Sequence, residues 1–477
     1  ILHLGCGSFH RAHQALLTQQ AIEAELDCAT RHGSGAPPAW GIVASSLISP
    51  RTTNALAQQD GLYTVLERGP SGTRASVVGT LRGLVYAPDE PLRLRQAFAD
   101  PAIRIVTVTV TTAGYCTDPA TGRLDAGLIE VQRDLRLPYP RTAIGVLVDG
   151  LRQRYLLGMP PPVVLSCDNL PSNGSVLRRM CIDFAALHDD RLAHWIENHV
   201  QFPATMVDRI VPLATAQDRE DATAGLGLTD AVPVSAEPFR QWVIEHFHGP
   251  RPRWDAAGAE YVPDVTAWEA SKLRLLNGGH LAVACLGALA GCTSVADAMA
   301  VPGFTAYALR FMLNEQKPTL PPSNHDIDAY ARQLLARWRN ASISHQLDRV
   351  RRDGSAKLPT RLLAALRINR EAGRPVACTL LAVAAWMLCA AGRDDTGRPI
   401  AQVDHLSSEL TARAAAAGGD PSRLVDLLLE LPEVFGEDLP ADLKFRHSLQ
   451  QAVATLQERG ARGAVAACVA GRLFDGV

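Results

Sequence analysis

Two textures divide this chain of 477 residues, and their order limits what it can fold into. Up to about residue 262, short β-branched runs alternate with amphipathic helical patterns. Trp40–Ser45, Ile103–Thr111 and Val163–Ser166 read as strands, with Ala143–Leu157 as a helix between them. Strands joined by helical crossovers lie parallel, so the alternation predicts a mostly parallel sheet whose ligands bind beyond the strands' carboxyl ends. From Asp264 onward no segment reads convincingly as a strand. Helical patterns there are separated by Pro, Gly and charged turns. The expectation is an α/β domain over residues 1–262 followed by a mainly α-helical domain over 263–477.

The start of the chain sharpens this. Ile1-Leu2-His3-Leu4 is an apolar run that stops at Gly5-Cys6-Gly7, and a helical pattern follows from Ser8 to about Leu26. A strand, a glycine turn and a helix offer helix N-terminal amides to a pyrophosphate, the Rossmann-like arrangement for a dinucleotide. His10 stands where the third glycine would fall, so the fingerprint is incomplete.

The second informative stretch is Lys272-Leu273-Arg274-Leu275-Leu276-Asn277-Gly278-Gly279-His280. In an α-helix turning about 100° per residue, Asn277 lies roughly 140° and His280 roughly 80° around from Lys272. Amine, amide and imidazole then share one broad face. Such a trio can take a proton from an alcohol, hold the oxygen anion and orient the substrate without a metal. A solvated polar face ending in a capping Asn-Gly is the plainer alternative.

Composition excludes several classes. A formal charge of −2 gives no electrostatic case for nucleic acid or an anionic membrane. The apolar run Thr379–Ala391 is too short to span a bilayer and reads as a buried helix. The ten cysteines include no Cys-x-x-Cys pair and no Cys/His cluster at zinc spacing. No metal site is therefore expected, and a cytoplasmic enzyme is. Cys167 reads as a buried neutral thiol.

Gly5-Cys6-Gly7-Ser8-Phe9-His10-Arg11-Ala12-His13-Gln14 resembles the opening of the polyol-specific long-chain dehydrogenases, the mannitol 2-dehydrogenase family. Gly114-Tyr115-Cys116, Ser166-Cys167-Asp168-Asn169, Met206-Val207-Asp208-Arg209-Ile210 and Lys272–His280 follow in that family's order. Glu237-Pro238-Phe239 and Asp353-Gly354-Ser355-Ala356-Lys357 agree as well. The resemblance implies a zinc-independent, nicotinamide-dependent oxidoreductase acting on a sugar alcohol or ketose. Lys272 would be the general base, a role that needs burial to lower its pKa. Asn277 and Asn169 would donate to the developing alkoxide, and His280 would bond a substrate hydroxyl. Asp208 would bind a substrate hydroxyl, position Lys272, or simply pair with Arg209. The resemblance also implies that Arg349 and Lys357, flanking a loop at Arg351–Ala356, reach the sugar chain and that Glu269 relays the proton to water. Gly5, Gly7, Phe9, Ser46, Arg51 and Gly114 are the candidate cofactor positions. Arg11 and His13 are either structural or against the cofactor.

Two departures stand out. Thr112 replaces a family glutamate, which removes any proton route through that carboxylate. Enzymes that use NAD place an acid after the second strand for the ribose 2′-hydroxyl. Here that segment is Ser45-Ser46-Leu47-Ile48-Ser49-Pro50-Arg51, with no acid. NAD is implied by the family, and NADP becomes possible. For the substrate, His345–Val350 resembles the mannitol enzymes. Phe239–Glu245 and Lys357–Leu363 resemble the mannonate oxidoreductases. The expectation is a polyol of mannitol or arabinitol type, with D-mannonate as the alternative. A non-catalytic nucleotide-binding protein is disfavoured, because lysine, both asparagines and histidine all stand at family spacing.

Overall fold

The computed structural model describes residues 1–32, 40–343 and 345–473. The chain divides into two compact units, Ile1–Thr266 and Ala267–Val477. The strands of the first are β1 (Leu2–Leu4), β2 (Ile42–Ser46), β3 (Tyr63–Gly69), β4 (Gly72–Val78), β5 (Leu81–Tyr86) and β6 (Ile105–Val108). They continue with β7 (Val163–Ser166), β8 (Thr205–Asp208), β9 (Val234–Ala236), β10 (Gln241–Glu245) and β11 (Glu260–Val262). Five form an all-parallel sheet in the order β5-β2-β1-β6-β7. Side chains alternate across it. Leu2, Leu4, Val106 and Val108 enter the core beneath the helices Ala143–Leu156 and Asn173–Ala186. Ile42, Ala44, Ile105 and Leu165 enter the core shared with helix Gln14–His32. Each such buried Leu, Ile or Val side chain stabilises by about 1.5–3 kcal/mol.

The remaining strands form two small mixed sheets. In one, β3 pairs antiparallel with β4 and parallel with β9. In the other, β10 pairs antiparallel with β8 and parallel with β11. Asp208 thus ends a strand of a small sheet, not of the parallel one. The second unit is helical, and among the described residues no strand follows Val262. Its centre is the buried helix Ala377–Cys389, packed on Gly279–Leu289 and on Leu443–Val469. No helix among the described residues is long and apolar enough to cross a membrane.

The expected helix from Ser8 to Leu26 is in fact two, Ser8–Ala12 and Gln14–His32, broken at His13. Tertiary bonds override the helical pattern there. The His13 ring Nε2 meets the Gln241 carbonyl at 2.9 Å, and Arg11 donates to the Val232 carbonyl. Both residues thus make structural contacts within the first unit. The glycine turn before them is tightly specified. Gly5 has φ +105°, and a Cβ there would lie 2.0 Å from the Thr109 carbonyl oxygen. Its amide, and that of Cys6, donate to the Ser45 carbonyl at 2.8 and 3.1 Å. Gly5→Ala must both strain the backbone and push β1 from β6. It should cost more than about 2 kcal/mol, since disfavoured φ alone costs about 1–3. Urea unfolding of parent and variant checks this; a loss under about half a kilocalorie would contradict it.

Candidate active site

In the first unit the candidate cofactor positions gather at the carboxyl ends of β1, β2 and β6. Gly7 is exposed, and a Cβ on it would meet only the Gly5 carbonyl, at 3.8 Å. The backbone is open there for a pyrophosphate, and the first-turn amides of Ser8–Ala12 lack intrahelical partners. That helix is only five residues long, so its dipole contributes less than the long helix expected from sequence. Phe9 is half-buried and stacks on His13, with centroids 5.0 Å apart. Gly114 lies in a 3-10 turn, Thr112–Tyr115, packed on Val110. Ser46 is the buried last residue of β2, and Ile48 stands 91% exposed two residues on. Arg51 opens the helix Arg51–Ala57, exposed, its amide donating to Ser49 Oγ at 3.3 Å. Its guanidinium makes no ion pair among the described residues.

Asn169 lies exposed, three residues beyond the end of β7. Asp208 is buried at the end of β8. Its sequence neighbour Arg209 turns away, giving its guanidinium to Glu67 at 2.5 Å and to the Glu237 and Ala12 carbonyls. This overturns the alternative of an Asp208–Arg209 pair. Cys167 is buried, and burial raises its thiol well above its ordinary value, so it is no nucleophile.

In the second unit, Lys272–Gly278 is not an α-helix but a π turn, entered from the helix Thr266–Ser271 that carries Glu269. A π turn closes its hydrogen bonds to the fifth residue, so each turn takes more residues than the 3.6 of an α-helix. Residues five apart, which an α-helix holds about 140° apart, come closer together around the axis. Lys272 and Asn277 are five apart. The wider turn therefore brings amine and amide nearer to one line than the sequence reading allowed. Both are half-buried, and the Asn277 side chain makes no hydrogen bond among the described residues.

His280 follows in helix Gly279–Leu289, 6% exposed. Its ring lies 4.7 Å from that of Trp338 and 4.7 Å, edge-on, from that of His345. Burial lowers its pKa well below the ordinary value, and nearby His345, Arg337 and Arg361 add to this. The imidazole is therefore neutral, and its Nε2 is buried with no protein partner among the described residues. A neutral ring with a free nitrogen is suited to a substrate hydroxyl.

A second π turn, Pro359–Leu363, packs on the first. A Cβ on Gly278 would lie 2.7 Å from the Arg361 carbonyl oxygen, so only glycine admits this approach. The segment expected to be a loop at Arg351–Ala356 is instead two short helices, Leu347–Arg351 and Gly354–Leu358, joined through Asp353 at φ +50°. Arg349 is exposed on the first. Lys357, on the second, is half-buried and donates to the Val350 carbonyl at 3.2 Å and to the Arg352 carbonyl. Burial, aided by Arg361, lowers its ammonium to about 8. Asp353, Asp404 and His405 also cluster in this unit, with ligand atoms within 4.8 Å of one another. Asp404 is already engaged there, accepting from the Ser355 amide at 2.8 Å and its hydroxyl at 2.5 Å.

A family model for the mannitol dehydrogenase Rossmann domain matches residues 1–256, and one for the mannitol dehydrogenase C-terminal domain matches 264–457. The chain belongs to the mannitol dehydrogenase family. It is an oxidoreductase. It is 41% identical over 471 residues to the uncharacterized oxidoreductase YeiQ of Escherichia coli, covering 98% of this chain and 93% of that one. It is 39% identical over 476 residues to the D-mannonate oxidoreductase of E. coli, covering 98% and 95%. The Pseudomonas fluorescens mannitol 2-dehydrogenase, solved as a ternary complex with NAD and D-mannitol, is 36% identical. It matches with a TM-score of 0.79 over 98% of this chain and 93% of that one.

Within this family frame, sequence reasoning missed Trp338, and it met His345 and Arg361 only inside family-like blocks, because nothing in the sequence marks their proximity to His280. Burial of neutral imidazoles has a consequence for stability. His3 is held near 3 and His345 near 4, both by desolvation, with His280 also low. Unfolding lets each return to about 6.5 and take a proton that the fold denies. The unfolded chain binds more protons below pH 6.5, so stability should fall between pH 7 and 5. Urea midpoints at pH 7, 6 and 5 check this; equal midpoints would show that the imidazoles are not held neutral.

Proposed function

We propose that this protein is a metal-independent dehydrogenase that interconverts a polyol of mannitol or arabinitol type and its ketose. The observation that carries the reading is the π turn, which puts Lys272 and Asn277 on adjoining lines with the unpartnered His280 nitrogen one turn on. A relative solved with NAD and D-mannitol supports the substrate class. A dinucleotide held at Gly5, Gly7, Phe9 and Gly114 would supply the nicotinamide as hydride acceptor for the alcohol carbon. Lys272 removes the hydroxyl proton, and Glu269, one turn earlier, passes it on to water. Asn277 and Asn169 donate to the developing alkoxide. His280 orients the substrate through a neighbouring hydroxyl, and Asp208, Arg349 and Lys357 bind the rest of the chain. Gly5, Gly7, Phe9 and Gly114 shape the seat of the dinucleotide, with Ser46 and Arg51 at its ribose.

A second reading, oxidation of an aldonate such as D-mannonate, is favoured by Arg361. Its guanidinium is half-buried, is lowered by desolvation to about 10, and has no hydrogen bond or ion pair among the described residues. A substrate carboxylate would supply the missing counter-ion. The 39% identity to a D-mannonate oxidoreductase points the same way.

Mannitol, arabinitol, sorbitol and mannonate, each with either nicotinamide, decide the matter by absorbance of the reduced cofactor. Turnover of a polyol is the expected outcome; mannonate alone would establish the second reading, and none would defeat both. Activity should survive exhaustive chelation, whereas loss that zinc restores would contradict a lysine base. Lys272→Ala should lower turnover by about 10²–10⁴-fold with cofactor binding retained, and small amines should restore part of it. An active variant would refute the assignment.

With no acid from Ser45 to Arg51, use of both nicotinamides is expected. Arg51→Ala should weaken NADP about tenfold, as for a charge-assisted contact at an exposed side chain, and leave NAD nearly unchanged. Ser49→Asp should restore preference for NAD by repelling the 2′-phosphate. Cofactor titrations by fluorescence read both; an NADP-blind parent would overturn this.

A further inference from the structure

Asp168, beside the Asn169 assigned to the alkoxide, has no role in the mechanism above, yet every polar group it carries is engaged. One carboxyl oxygen accepts from the Tyr115 hydroxyl at 2.7 Å, the other from the Val110 amide at 2.9 Å. The same Tyr115 oxygen lies 2.6 Å from Ser166 Oγ. The Asp168 carbonyl, which leads into Asn169, accepts from Asn173 Nδ2 at 3.0 Å. Asn173 in turn bonds both backbone groups of Thr205 on β8, at 2.8 and 2.9 Å. Just before it, the Cys167 amide donates to the Val108 carbonyl at 2.8 Å. The peptide before Asn169 is thus tied to the ends of β6, β7 and β8 at once, with Asp168 only 8% and Tyr115 1% exposed.

We propose that Asp168 and Tyr115 are positioning residues, which set the placement of the Asn169 amide and do so with Asp168 ionised. This rests on the role given to Asn169 above. An ionised carboxylate accepts from Tyr115 and Val110 together. Once protonated, one of its oxygens becomes a donor competing with the Tyr115 hydroxyl, and the tie between β6 and β7 must rearrange. The groups facing the carboxyl are Tyr115, Ser166, the Val110 amide and the Cys167 thiol, with no cation among them. Burial raises the Asp168 carboxyl to about 7, against the opposing pull of its hydrogen bonds, so the two forms exchange within the working range.

Reduction of the ketose by reduced nicotinamide separates this titration from that of Lys272. In that direction Lys272 must be protonated, so its titration removes activity on the alkaline side. Asp168 should remove it on the acid side, with a midpoint near pH 7. Asp168→Asn should abolish the acid limb and lower kcat about 10²-fold, as a small misplacement does, with the KM for cofactor nearly unchanged. Tyr115→Phe removes one donor to the carboxylate and should move the acid limb to higher pH. An acid limb that survives in Asp168→Asn, or that Tyr115→Phe leaves in place, overturns the proposal. So does a parallel collapse of kcat, cofactor affinity and melting temperature. If the parent turns over no substrate, the functional reading fails. The carboxyl titration followed by carbon NMR on labelled aspartate then still decides about this pair. A resonance titrating near 7, missing in Asp168→Asn and shifted upward in Tyr115→Phe, supports it; a carboxyl ionised down to pH 5 overturns it.

Discussion

Close approach of a carbonyl to a glycine, with no side chain between, is the constraint on which the chemistry of both units depends. The Thr109 carbonyl lies 2.0 Å from where a Cβ of residue 5 would stand, and the Arg361 carbonyl 2.7 Å from one at residue 278. At the first, the contact seats the glycine turn between β1 and β6 and leaves Gly7 open to solvent. At the second, it locks one π turn onto another, so that Lys272 and Asn277 on the first share a fixed backbone with Arg361 on the second. A methyl group at either place would have to displace main chain, which yields far less readily than a side-chain tip.

Burial then decides the electrostatics. In the helical unit, desolvation is the largest influence on His280, Lys357 and Arg361, lowering all three. The result is a neutral imidazole beside cations, Arg361 among them without a counter-ion in the described protein. In the sheet unit the same effect raises Asp168 against the hydrogen bonds from Tyr115 and Val110 that favour its charge. Both units thus hold polar groups whose proton affinities differ from those in water, poised to respond to a hydroxyl, a carboxylate or a proton.

Much of this was legible in the residues. Alternating β-branched runs and helical patterns announced the parallel sheet, because strands buried on both faces must be mainly apolar, as Ile105–Val108 and Val163–Ser166 are apart from Thr107 and Ser166. The turn at Gly5-Cys6-Gly7 and the ordered family blocks led to the oxidoreductase. Less legible were features that depend on partners far along the chain. The helix from Ser8 breaks at His13 because its ring reaches Gln241, and no periodicity in residues 8–26 encodes that bond. Asp208 falls in a small mixed sheet because β8 pairs with β10 rather than β7. The segment 351–356, expected to be a loop, coils into short helices around a left-handed Asp353.

The sequence by itself determined which side chains are available and in what order: a lysine, an asparagine and a histidine at spacings of five and three, a glycine turn after a first strand, and no acid after the second. Tertiary structure alone decided what those groups can do. The spacing of Lys272 and Asn277 acquires its meaning only in the π turn, which packing against Pro359–Leu363 holds open. The charge state of His280 follows from its burial, with the Trp338 and His345 rings brought against it from far along the chain. Local pattern specifies backbone periodicity, whereas protonation and hydrogen-bond geometry are set by desolvation and by neighbours that only the folded chain assembles.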